Sequence, residues 1–153
     1  MIGTLLLAAV TLAAQDTVVR VVDRDTIVTE KAGKVRLLGI DTPETKHPTK
    51  PVELCGREAT AALEKLLPLG AEVTLIGPKH QGPKDRYDRT LAWVFVDKHK
   101  TVAQFVLLQL GLARVERRYP IEHLAVLDVI ERMAKKLGMG AWGTWMCETP
   151  DVG

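Results

Sequence analysis

Val35-Arg36-Leu37-Leu38-Gly39-Ile40-Asp41-Thr42-Pro43-Glu44-Thr45-Lys46-His47-Pro48 is the stretch that decides the fold. Its first six residues are apolar except for Arg36, which predicts a short strand, Val35–Ile40. A Pro-containing turn follows at once and holds two carboxylates, Asp41 and Glu44. A cation and two anions therefore meet at one end of a sheet. Chemistry on a phosphate asks for such a set: oxygens to hold a metal, a base for water, and positive charge for the phosphoryl oxygens.

Working outward, Thr17–Val22 is β-branched and valine-rich and predicts a strand. Asp23-Arg24-Asp25 reads as a turn, Thr26–Thr29 as a second strand, and Lys31-Ala32-Gly33-Lys34 as a hairpin turn into the third. Three short strands in a meander suggest a small antiparallel barrel. Val52–Leu67 carries Ala59, Leu63, Leu66 and Leu67 at helical spacing before Pro68 and Gly70. Ala71–Ile76 and Thr90–Val96 predict strands four and five, with a loop rich in Gly, Pro and charge between them. Thr101–Leu110 predicts a helix ended by Gly111, and Pro120 opens a last one, Ile121–Leu137, ended by Gly138. The order β-β-β-α-β-β-α-α is that of an α+β, five-stranded OB-fold barrel with three helices. Fold by itself is only an analogy for function.

With 153 residues, 46% apolar and 26% charged, the chain suits one globular domain with its own core. A net charge of only +2 means that attraction for phosphates must come from local clustering. Residues 1–14 carry no charge and are too short to span a bilayer. They resemble the core of a signal peptide with Ala13-Ala14 as a cleavage point, which implies a secreted or periplasmic protein. No Lys or Arg precedes them, and the alternative is a buried first strand or helix in a cytoplasmic protein. On the first reading the leader is 1–14, the OB-fold domain 15–146 and the tail 147–153. Cys55 and Cys147 have no metal-site spacing; they either pair or remain two thiols.

Asp25 and Asp41 each follow a strand and sit in a turn, where Asp commonly bonds its own backbone. Together with Glu44 and the Thr42 carbonyl they also offer hard oxygens, which favour Ca²⁺ or Mg²⁺ over zinc. Glu44 is either an idle loop charge or a base for water. Arg36, by strand alternation on the face of Leu38 and Ile40, either snorkels at the barrel rim or faces an anion. In Lys84-Asp85-Arg86-Tyr87-Asp88-Arg89, the arginines are either a solvated run or a second phosphate clamp beside a stacking aromatic. Arg117-Arg118-Tyr119 repeats that theme more weakly, as an interhelix loop. The four histidines show no ligand spacing, and Trp142 and Trp145 are expected to pack the C-terminal segment onto the barrel.

Taken in order, Val22–Thr26, Arg36–Pro48, Gly56-Arg57-Glu58-Ala59, Asp85–Ala92 and Val106–Ala113 resemble the staphylococcal nuclease (thermonuclease) family over residues 17–143. The resemblance implies a Ca²⁺-dependent phosphodiesterase that acts on DNA and RNA and leaves 3′-phosphate and 5′-hydroxyl ends. It implies that Asp25, Asp41 and the Thr42 carbonyl bind Ca²⁺, that Glu44 activates or positions water, and that Arg36 and Arg89 hold the phosphate. Tyr87 and Tyr119 match positions that line the nucleotide site, with Arg86 and Lys50 as basic neighbours. The expected partner is single-stranded DNA or RNA, the expected state a monomer without a membrane anchor unless the leader is uncut. The chain departs from the family at Arg24 and Asp88, each in place of a glycine, and at Arg117, in place of a tyrosine. Its hairpin between Thr26 and Arg36 is about three residues shorter. Asp88 is expected to draw Arg89 into a pair or to change the turn. The other function class is a catalytically inactive nucleic-acid-binding barrel. Retention of Asp25, Arg36, Asp41, Glu44 and Arg89 argues for the enzyme.

Overall fold

The computed structural model describes residues 13–42, 55–143 and 147. Strand β1 (Ala13–Asp23) lies centrally, antiparallel to β2 (Thr26–Thr29) on one side and β5 (Glu72–Ile76) on the other. Strand β3 (Gly33–Leu37) pairs with β2, and β6 (Thr90–Val96) with β5. A parallel pairing of β3 with β6, Val35 opposite Thr90 and Leu37 opposite Ala92, then closes the sheet. Closure leaves these five strands without an open edge. The architecture is the α+β, five-stranded OB-fold barrel with three helices that the sequence implied.

Period-two alternation fills the barrel. Val18, Ile27, Val35, Leu37, Val73 and Leu75 point inward, while β6 is buried on both faces from Leu91 to Val94. Helix α1 (Gly56–Leu66) covers the barrel with Ala59 and Leu63, α2 (Ala103–Gln109) with Leu107 and Leu108, and α3 (Leu124–Lys136) with Leu127. A two-residue strand, β7 (Thr101–Val102), pairs antiparallel with the end of β6 and replaces the expected start of the second helix at Thr101.

Three further expectations are corrected. The third strand does not run to Ile40: it stops at Leu37, turns at Leu38-Gly39, and resumes as β4 (Ile40–Asp41), which pairs with β8 (Arg114–Val115). The cause is Trp93. At Gly39, φ is +79°, and a Cβ there would lie 2.5 Å from the Trp93 ring, so only glycine lets the chain pass. Arg36 thus does not share one continuous strand face with Leu38 and Ile40. Second, α3 begins at Leu124, not Ile121, because His123 takes a left-handed conformation with φ 65°. Third, β1 starts at Ala13, so Ala13 and Ala14 are paired with Ile76 and Leu75 in the sheet. The expected start of the first helix at Val52 lies outside the described residues.

Cys55 and Cys147 form a disulfide, with Cα atoms 5.2 Å apart, tying the C-terminal segment to the start of α1. Trp142 is partly buried against Arg114 and Lys135; Trp145 lies outside the described residues. No helix among the described residues is long and apolar enough to cross a membrane.

Candidate active site

The barrel closure brings β3 beside β6, and so brings together two basic residues that are far apart in sequence. Arg36 stands on β3 opposite Leu91, two residues past Arg89. Both guanidiniums line one cleft of about 580 Å³, together with Arg86, Tyr87 and Tyr119. The two tyrosines are 63% and 59% exposed, and the Arg86 and Arg89 guanidiniums lie 4.8 and 5.4 Å from the centre of the Tyr87 ring.

Arg89 is held from two sides. Its Nε–H donates to Asp85 Oδ2 at 2.7 Å and its Nη1–H to Thr26 Oγ1 at 3.0 Å. Asp85 Oδ1 also accepts the backbone N–H of Tyr87 at 2.9 Å and of Arg89 at 3.0 Å, which shapes the loop around the arginine. Burial would push the Asp85 carboxyl up, but the hydrogen bonds from Arg89 and Tyr87 outweigh it and hold the group below its ordinary range. Asp88 does not divert Arg89, contrary to expectation. It takes a left-handed conformation with φ 61°, as a glycine would, and its carboxylate accepts from Lys84 at 3.2 Å in the open. Asp tolerates that conformation better than most side chains.

From Thr26 the network continues to the first aspartate. The Thr26 hydroxyl donates to Asp25 Oδ1 at 2.9 Å, and the Thr42 hydroxyl donates to Asp25 Oδ2 at 3.1 Å. Arg36 Nη2 lies 3.5 Å from the same Oδ2 and donates to the Ile40 carbonyl at 2.9 Å. Arg36 is therefore aimed along the cleft floor, as an anchored cation and not a snorkelling one. Burial would raise the Asp25 carboxyl, yet the Arg36 guanidinium and the Thr26 hydroxyl prevail and hold it down. Asp23, which sequence reasoning passed over, sits beside it: burial and then the Asp25 charge push the Asp23 carboxyl up. Its only signal was its place one residue away from a turn arginine in Asp23-Arg24-Asp25.

The turn that carries Asp41 is fastened by residues that sequence reasoning also missed. Gln104, fully buried on α2, donates to the carbonyls of Leu38 at 3.2 Å and Ala92 at 2.9 Å. It accepts the Val94 N–H at 3.2 Å. A Gln in the first turn of a helix whose next four residues are all apolar was the signal. Trp93, whose ring packs against Gly39, donates its Nε1–H to buried Glu122 at 2.7 Å. The Glu116 N–H donates to the Gly39 carbonyl at 3.0 Å. Asp41 itself is exposed, opposite Arg114 in the β4–β8 pairing.

Arg86 lies 4.8 Å over the Tyr87 ring and donates to its hydroxyl at 2.8 Å, so it stiffens that platform. Arg117 and Arg118 part company. Arg117 turns to Asp128 and Glu131 on α3, whereas Arg118 and Tyr119 line the cleft. Glu44 and Lys50 lie outside the described residues.

Whether these groups suit a metal is a matter of donor chemistry. Asp25, Asp41 and Thr42 supply only oxygens, and the Thr42–Asp25 hydrogen bond brings residues 25 and 42 into contact across 17 positions of sequence. Such a set suits a hard divalent cation. Among the described residues, the group of three His, Cys, Asp or Glu side chains with ligand atoms within 4.8 Å of one another is Cys55, Glu58 and Cys147. There the disulfide occupies both sulfurs.

The comparisons agree with the cleft. The family model described as staphylococcal nuclease homologue matches residues 34–144. The thermonuclease of Staphylococcus hyicus is 36% identical over 129 residues, covering 82% of this chain and 73% of that protein. The thermonuclease of Staphylococcus intermedius is 36% identical over 127 residues, covering 80% of this chain and 73% of that protein. Endonuclease YncB of Bacillus subtilis (strain 168) is 37% identical over 128 residues, covering 80% of this chain and 59% of that protein. The chain belongs to the staphylococcal nuclease homologue family, a family of phosphodiester-hydrolysing nucleases.

Proposed function

We propose that this nuclease is a Ca²⁺-dependent phosphodiesterase that cuts single-stranded DNA and RNA to 3′-phosphate and 5′-hydroxyl products. The observation that carries the reading is the convergence of Arg36 and Arg89 on one cleft, linked to each other through Thr26 and Asp25. Asp25, Asp41 and the Thr42 carbonyl are the groups that would hold Ca²⁺, and Glu44 is the group that would orient or deprotonate water. Ca²⁺, when bound, supplies positive charge to the phosphodiester and favours ionised water.

The residues of the chain supply the rest. A phosphodiester is anionic and repels hydroxide. Arg36 and Arg89 offset that charge, and do so more strongly as negative charge grows on the equatorial oxygens. Arginine suits the task because its planar fork donates two hydrogen bonds to one phosphate and stays charged. Asp85 and Thr26 fix one side of Arg89 in advance, so little reorganisation remains. Tyr87 and Tyr119 offer their exposed faces to bases. The Cys55–Cys147 disulfide supports a mature protein that works outside the cytoplasm, and we take it to act as a monomer.

Purified protein should digest a single-stranded oligonucleotide with Ca²⁺ and stop in EDTA, and end analysis should find 3′-phosphates. Full activity in EDTA would sink the metal assignment. Glu44→Gln, Arg36→Ala and Arg89→Ala should each slow cleavage by about 100- to 1000-fold. Near-normal rates in all three would show that the site is misplaced.

A further inference from the structure

We propose that Arg118, held in place by Glu116, is a second phosphate-binding position, which takes a phosphate next to the scissile one on a nucleic acid strand. The inference rests on the nuclease reading of the cleft and deepens it.

Arg118 lines the same cleft as Arg36 and Arg89, but no contact ties it to either. Its own pairing is side-on. The Nε–H donates to Glu116 Oε1 at 2.9 Å, Nη2 donates to Oε2, and the Arg118 backbone N–H donates to Oε1 at 2.8 Å. A guanidinium bound through Nε and Nη2 turns Nη1 away from the carboxylate. Among the described residues, Nη1 has no hydrogen-bond partner. The burial of the two partners is unequal. The Glu116 side chain is 10% exposed and that of Arg118 72%, so the carboxylate acts as a fixed base and the guanidinium as its presented tip. The Arg118 hydrogen bond holds the Glu116 carboxyl low, so the base stays charged at neutral pH.

The contrast with Arg117 shows that this is no accident of a basic run. Arg117 is drawn to Asp128 and Glu131 on α3, away from the cleft. The charge of the cleft points the same way. Five cations line it (Arg36, Lys84, Arg86, Arg89 and Arg118) against two carboxylates, Asp85 and Glu116. Asp25 and Asp88 pair with two of these cations, Arg36 and Lys84, which leaves Arg86, Arg89 and Arg118 facing the cleft against Asp85 and Glu116. One phosphodiester carries a single negative charge; a strand offers several in a row. Tyr119 follows Arg118 in the chain and lines the same cleft, where a base beside the second phosphate can stack.

The test is the salt dependence of binding. Affinity for a fluorescent single-stranded 12-mer is measured in EDTA from low to moderate NaCl, for wild type, Arg118→Gln, Arg118→Lys and Lys98→Gln. Lys98 lies outside the cleft and controls for general charge. Loss of one phosphate contact flattens the slope of log affinity against log salt by about 0.7 for a single strand. Arg118→Gln should show that change and weaken binding at low salt by roughly three- to tenfold. Arg118→Lys should restore the slope, and Lys98→Gln should leave it alone. In cleavage with Ca²⁺, Arg118→Gln should raise KM for the 12-mer more than KM for a dinucleotide. Because Arg118→Gln leaves Glu116 unpaired, the double variant Glu116→Gln/Arg118→Gln is the check on folding, and it should show the same flattened slope. A wild-type slope in both variants overturns the proposal and leaves the nuclease reading intact. A wild-type protein that neither binds nor cuts the 12-mer overturns both.

Discussion

Asp85→Asn should weaken Arg89 without removing it. Asp85 Oδ2 accepts the Arg89 Nε–H at 2.7 Å, and Oδ1 accepts two backbone N–H groups at 2.9 and 3.0 Å. Asparagine keeps an oxygen for the two backbone donors, so the loop survives. In place of Oδ2 it presents an amide NH₂, which cannot accept from a guanidinium. The lost contact is a charge-assisted hydrogen bond between side chains that are 18% and 23% exposed. Bonds of this kind contribute about 1.5–3 kcal/mol, and partial exposure favours the lower half of that range. Thr26 still holds Nη1 at 3.0 Å, so Arg89 is loosened and not released. At about 1.4 kcal/mol per tenfold, kcat should fall by about 10- to 30-fold, against about 100- to 1000-fold for Arg89→Ala. The assay is steady-state cleavage of a single-stranded oligonucleotide at saturating Ca²⁺, with urea unfolding in parallel to confirm that the variant is folded under the assay conditions. Adding Thr26→Val should bring the rate close to that of Arg89→Ala. A rate within twofold of wild type in the folded variant would refute the idea that Asp85 orients Arg89. Faster cleavage would show that Asp85 instead subtracts charge from it.

Three further outcomes are expected. Gly39→Ala places a Cβ 2.5 Å from the Trp93 ring at φ +79° and should cost about 2–4 kcal/mol in urea unfolding; a loss under about 1 kcal/mol would mean that the turn adapts freely. Buried Glu131 accepts from the Val115 N–H at 2.6 Å and Lys135 Nζ at 2.7 Å; against burial, which raises it, these hold its carboxyl below the ordinary 4.5. Its folded pKa is depressed, so its stabilisation is complete above about pH 4.5 and is lost as pH falls through the lower folded value. Glu131→Gln should therefore lower the urea midpoint at pH 7 and flatten the acid limb, and an unchanged limb would exclude the role. Reducing the Cys55–Cys147 bond, which closes 92 positions of sequence, should cost about 2–5 kcal/mol, read as a lower urea midpoint in dithiothreitol; an unchanged midpoint would show that the unfolded chain gains little freedom.

Local signals carried much of the fold. Strands Thr26–Thr29 and Thr90–Val96 have the bounds that their β-branched and apolar runs predicted. Arg36 stood out as the one charge within an apolar strand, whereas Asp25 and Arg89, each with an ordinary structural reading, stood out through the family motifs that contain them. Their company did not show. Arg89 meets Thr26 across 63 positions and Gln104 meets Leu38 across 66. Periodicity reports which way a side chain faces along one element and says nothing about which distant element faces it. The neighbour of Arg89 was likewise misjudged: adjacent Asp88 looked like its partner, yet Asp85 is, because a left-handed turn at position 88 carries the nearer carboxylate outward.

By itself, the sequence determined the barrel class, its strand order and the residue types of a phosphate site. Composition, turn chemistry and alternation are all written within a few residues. The tertiary structure alone decided that β3 and β6 close in parallel, and that the chain leaves β3 at Leu37 and turns at Gly39, against Trp93, into the β4 segment bearing Asp41. It also decided that of two neighbouring arginines one serves α3 and the other faces the cleft. Each of these is a contact between segments far apart along the chain, set by packing and charge that exist only once the barrel has closed.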